Sequence, residues 1–256
     1  MRIRGHARYF TPVVAGLAAL AWTALFWLHG TMAGHHHIHG RGATLLTIFG
    51  TQAEESRIKW GVLFLAGWIL MTIAMMLPTI LPFVETFRHL TRGRRDQGYL
   101  LSFLLLGYLS VWLAFGVVVL CLGDAASRIM APLLSLPGNW PLPAAAFFLT
   151  AGIFQFLPLK YHCLDRCRSP LKCIAERWEG TRPGRNSFEL GLRHGVSCVG
   201  CCWALMLLMF AAGSSHMLWM LALTVVMSVE KNMPWGRRLA KPLGILLLAG
   251  AVFIVL

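Results

Sequence analysis

Residues 195–229 read GVSCVGCCWALMLLMFAAGSSHMLWMLALTVVMSV, 35 positions without an Asp, Glu, Lys or Arg. As one helix the run would extend about 52 Å at 1.5 Å per residue. That is too long for a single crossing of a ~30 Å hydrocarbon core and just enough for two short ones. Small and helix-breaking residues gather at Ala211-Ala212-Gly213-Ser214-Ser215, so a turn is expected there. Two helices here, rather than one, set the parity of everything on either side.

Outward from this run the same pattern recurs. Phe10 to Leu28, Trp60 to Val84, Tyr99 to Gly123 and Leu142 to Leu159 are uncharged, and Leu243 to Leu256 is a shorter final run. Apolar residues make up 57% of the 256, charged ones 13%, and the mean hydropathy is +0.65. A soluble domain carries about a quarter charged residues, so this composition excludes one. The chain is expected to be a single integral-membrane domain over 1–256: an all-α polytopic helix bundle of about seven transmembrane helices. Arg2, Arg4 and Arg8 before the first run suggest a signal peptide. Its length, its Trp22 and Trp27 and the poor cleavage site near Ala33 point instead to a retained helix.

Positive charge orients the bundle. With seven helices and a cytoplasmic N-terminus, 19 of the 23 Lys and Arg residues fall inside; reading 195–229 as one helix leaves 15. The expected location is a bacterial inner membrane, crossed several times. A His-containing loop, 29–59, then lies outside, and a basic Cys-containing loop, 160–194, inside. The formal charge of +13 would suggest nucleic acid in a soluble protein. Here it belongs to loops that face lipid headgroups, and no nucleic-acid partner is expected.

Six of the seven cysteines flank that inner loop. Cys163 and Cys167 are spaced i, i+4 on a helix continuing from the fourth span, and Cys173 follows Pro170. Cys198, Cys201 and Cys202 form C-x-x-C-C at the start of the fifth, with Cys198 and Cys202 on one face. Antiparallel neighbours would bring these sulfurs to one height. Facing a reducing cytosol they are expected to be thiols, not disulfides, and Arg166, Arg168, Lys172 and Arg193 favour their thiolates. Clustered thiolates suit Cu(I) and Zn rather than hard cations. Cys121 stands alone and reads as an apolar filler.

Two further groups carry donors. His35, His36, His37 and His39, after His29 and Met32, put five of ten histidines within eleven residues, a compositional metal-binding signal. The alternative is a solvated loop that binds metal adventitiously. Met75 and Met76, with Met71, precede Pro78 on the second helix, and Met220 and Met227 lie on the sixth. Thioethers are soft ligands but also ordinary core fillers. Glu85, Asp124 and Glu230 lie at helix ends, so no intramembrane carboxylate for proton coupling is visible. Phosphate-binding loops, dinucleotide fingerprints and serine elbows are absent.

The segments Met71 to Pro78 (MTIAMMLP), Phe154 to Pro170 (FQFLPLKYHCLDRCRSP), His194 to Met206 (HGVSCVGCCWALM) and Trp219 to Lys231 (WMLALTVVMSVEK) resemble a bacterial family labelled "predicted metal-binding integral membrane protein". The resemblance covers about residues 60 to 250 and implies metal binding. Ser215-His216 stands where the family pattern has Met-Asn, and Leu157 where it has Thr. The expected function is to bind a soft transition metal, copper ahead of zinc, and to hand it across the bilayer, with a metallochaperone or membrane complex as possible partner. A membrane thiol or metal redox enzyme, or an assembly subunit of a larger metalloenzyme, are the alternatives; no catalytic residue is assigned.

Overall fold

The structure, a computed structural model, describes residues 10–33, 54–134, 142–169, 174, 182–210 and 217–256. The histidines 35, 36, 37 and 39, Cys173 and the pair Ser215-His216 lie outside these residues. Helices occupy all seven expected segments. They are α1 (Phe10–Ala33), α2 (Glu54–Met76), α3 (Leu81–Leu90), α4 (Gln97–Leu134), α5 (Leu142–Phe154), α6 (Pro158–Arg168), α7 (Pro183–Leu207), α8 (Met217–Asn232) and α9 (Gly236–Val255). Among the described residues there is no strand.

Four helices are long and apolar enough to cross a membrane: Ile58–Met76, Gln97–Ala126, Pro183–Phe210 and Gly236–Val255. The pair α5 and α6, bent by 68°, makes a fifth if it is one span. The apolar stretch Val14–Trp27 of α1 and the 16-residue α8 are shorter. Four to five crossings are therefore supported on length and composition, against the seven that charge alternation suggests. Leu20, Leu63, Val118, Leu221, Leu246 and Phe253 are exposed on the outer surface, as lipid-facing side chains are.

Prolines break the helices at defined places. Pro78 has no N–H to give the carbonyl of Ala74, and the Trp22 indole of α1 donates to that oxygen at 3.0 Å. One tight turn, Pro78–Ile80, then leads into α3. Before Pro158 the chain must leave the helical region, and Leu157 is extended at φ −71°, ψ 138°. The helix expected to run straight on from the fourth span therefore kinks, and α6 restarts across the bundle. The 35-residue run carries two helices, α7 and α8, and residues 211–215 between them lie outside the described residues.

Glycines let α7 approach α4. A Cβ on Gly191 would strike the carbonyl oxygen of Leu104, and one on Gly107 the carbonyl oxygen of Phe188. Small residues permit such backbone contact where lipid supplies no hydrophobic drive between helices. Gly191→Val is expected to cost about 3 kcal/mol, since overpacking here meets backbone rather than a movable side chain. A lowered Tm of the detergent-solubilised protein checks this. The close crossing also seats the start of the C-x-x-C-C segment against α4.

Candidate metal centre

Cys198, Cys201 and Cys202 are all buried within α7. The Cys201 and Cys202 thiols point back toward the Cys198 carbonyl, at 3.1 and 2.9 Å. Cys167, the penultimate residue of α6, brings its Sγ to 4.0 Å from Cys201 Sγ. Cys163 lies against Gly200, where an added Cβ would be 2.6 Å from its sulfur. The described cysteines are free thiols, and Cys121 is exposed on α4. Met76 joins from α2, while Met75 is fully buried in the same core, as are Met220 and Met227.

The centre of this cluster is an amine. Lys231 Nζ lies 3.0 Å from Cys198 Sγ, 3.6 Å from Cys202 Sγ, 3.6 Å from Met76 Sδ and 3.4 Å from Thr79 Oγ1. Lys231 is only 7% exposed. A buried charge needs an opposite partner, and of these four groups only the cysteine sulfurs can carry negative charge. Tyr108 of α4 places its hydroxyl 3.1 Å from Cys198 Sγ. Among the described residues, no three of His, Cys, Asp and Glu are arranged to hold a metal ion. Two of the thiols are turned to a carbonyl, and the amine sits between sulfurs. The atoms gathered here are thiols and a thioether in a buried core.

A second buried group stands beside the first. Lys160 in the first turn of α6 pairs with Glu230 of α8 at 2.8 and 2.9 Å, and also donates to the side-chain oxygen of Gln155. Three bonds use all three hydrogens of the ammonium. Lys160 and Glu230 are 0% and 2% exposed. Next to Cys167, Arg168 donates to the carbonyls of Glu230 at 3.0 Å and Pro234 at 2.9 Å, satisfying orphaned acceptors at the end of α8. Together these bonds tie the helix bearing Cys167 to the helix bearing Lys231.

Lys160 and Lys231 are thus not loop cations, and Glu230, in the last turn of α8 as expected, is buried rather than solvated. Sequence reasoning placed them at boundaries because each abuts an uncharged run. The overlooked signal is that neither glycine nor proline separates Val229 from Glu230-Lys231, so α8 carries both inward to Asn232, before Pro234. His194 was also passed over. It is 3% exposed, stacks on Phe83 with centroids 3.9 Å apart, and its Nδ1 has no hydrogen-bond partner.

The elements that build this centre, from α2 to α9, lie in one stretch of sequence. No curated protein and no solved structure matches the chain. The PpoB2 family, described as a copper chaperone, matches residues 65–254. That span takes in Met76, Cys167, the C-x-x-C-C segment and Lys231, and the chain belongs to this copper chaperone family.

Proposed function

We propose that the protein takes Cu(I) at the cluster of Cys167, Cys198, Cys201 and Cys202, with Met76 as a weak further donor, and hands it on across the bilayer of a bacterial inner membrane. The observation that carries this is the 4.0 Å approach of Cys167 and Cys201 sulfurs from two separate chain segments, inside a core that also holds Met76 and Lys231. Soft Cu(I) prefers such sulfur donors. Zinc would want four closed ligands, whereas two thiolates suffice for copper.

To bind, Cys201 and Cys202 would each give up the S–H hydrogen bond to the Cys198 carbonyl, release that proton with the departing ligand and bond the metal through sulfur, while the Lys231 amine shifts aside without leaving. Two thiolates and Cu(I) carry net charge −1, which the ammonium balances. The thioether of Met76 adds a donor loose enough to release, as transfer requires. Cys163, and the histidines 35, 36, 37 and 39 and Cys173 outside the described residues, would serve as further donors on the path of the ion.

Titration of reduced, detergent-solubilised protein with Cu(I) against bicinchoninate tests this. Wild type is expected to withdraw copper from the chelator, and the Cys167/Cys198/Cys201/Cys202→Ser variant to lose about 1,000-fold or more in affinity, as removal of soft ligands demands. Equal affinity in the two proteins would overturn the assignment.

A further inference from the structure

Beside the sulfur cluster lies a cleft of about 130 Å³ whose wall includes Thr79, Cys167, Arg168, His194, Lys231 and Asn232. No carboxylate is among its described lining residues. Arg168 spends its guanidinium bonds on two neutral carbonyls. The Lys231 amine faces sulfurs and a hydroxyl, and the nearby carboxylate of Glu230 is held by Lys160. Two cationic side chains therefore flank this opening, whose wall includes Cys167. The buried His194 in its wall has an Nδ1 without a hydrogen-bond partner among the described residues.

Such a wall repels a bare cation and attracts an anion. We propose that copper reaches the cluster through this cleft as an anionic Cu(I) bis-thiolate complex, carried by a small thiol or by the cysteine pair of another protein, with Arg168 and Lys231 supplying the countercharge. This rests on the Cu(I) reading above. In each exchange a cysteine sulfur forms a new Cu–S bond, the bond to one carrier sulfur breaks, and the proton the cysteine carried leaves on the departing thiol. Copper stays Cu(I), no electron moves, and after two exchanges the anionic charge resides on the protein-bound centre.

Uptake by the full chain is measured from two donors, the anionic Cu(I)–glutathione complex and the cationic Cu(I)–acetonitrile complex, over a range of salt. From glutathione the rate is expected to fall as salt rises, and Arg168→Gln to slow low-salt uptake about tenfold, within the range of electrostatic steering. From acetonitrile the rate is expected to rise with salt, and Arg168→Gln not to slow it. Arg168→Lys, which keeps the charge, should restore uptake from glutathione, and Arg185→Gln, remote from the cleft, should change neither rate. Arg168→Gln slowing both donors alike, or neither, overturns the proposal while leaving the copper site intact. Uptake by wild type from neither donor overturns the copper site itself. A copper-loaded Cys-x-x-Cys peptide as a third donor separates the sources: faster transfer from it than from glutathione assigns a protein carrier, slower transfer a small thiol.

Discussion

Lys231→Met protein is expected to bind Cu(I) about 100-fold more weakly than wild type while keeping or gaining stability. The ammonium lies 3.0 and 3.6 Å from two sulfurs, and at an effective dielectric of about 20 a pair of unit charges ~4 Å apart gains about 4 kcal/mol. Part of this is offset by taking the charge out of water, and a remainder near 2.7 kcal/mol corresponds to about 100-fold. In the metal-free protein the partner of this amine is a cysteine sulfur, which takes up a proton once the amine is gone, so exchanging Lys231 for an apolar chain of similar length strands no buried charge. Chelator competition gives the affinity and Tm the stability. If affinity instead rises, Lys231 is a competitor for the metal position and not its counter-ion.

Glu230→Gln is expected to be the most destabilising single change at a polar position. It leaves the Lys160 ammonium, 0% exposed, without its carboxylate. Breaking a buried pair in this way costs about 3–5 kcal/mol, a fall in Tm on the order of 10 °C for a domain of this size. Replacing both partners with apolar side chains, as in Lys160→Met/Glu230→Leu, should recover most of the loss, because the penalty arises from the stranded charge. The pair joins α6 to α8, so the single variant should also loosen copper binding by separating Cys167 from Lys231. A Glu230→Gln protein with wild-type Tm would mean that the pair contributes nothing.

Helical character and the approximate place of the seven apolar helical runs were legible in the sequence because apolar length is a local property, whereas α3 and α6 as separate helices were not. The break of residues 195–229 into two helices followed from small residues at 211–215, and the gathering of cysteines on α6 and α7 followed from their spacing. The kink before Pro158 was signalled by the proline but not its size, since a bend of 68° depends on what the next helix packs against. The count of crossings stays at four to five on length and composition. The histidine tract and Cys173 lie outside the described residues.

The sequence by itself determined an all-helical chain rich in apolar runs, with soft donors clustered in two segments, because composition and periodicity need no partner to be read. Only the tertiary structure decided that Cys167 rather than Cys163 approaches the C-x-x-C-C sulfurs. It alone put Lys231 among them and drew Lys160 and Glu230 out of water. Those facts turn on how far α8 and α6 reach past the apolar runs and on which helix meets them there. A charge beside an apolar run looks the same in one dimension whether it faces solvent or a buried counter-charge 70 residues away.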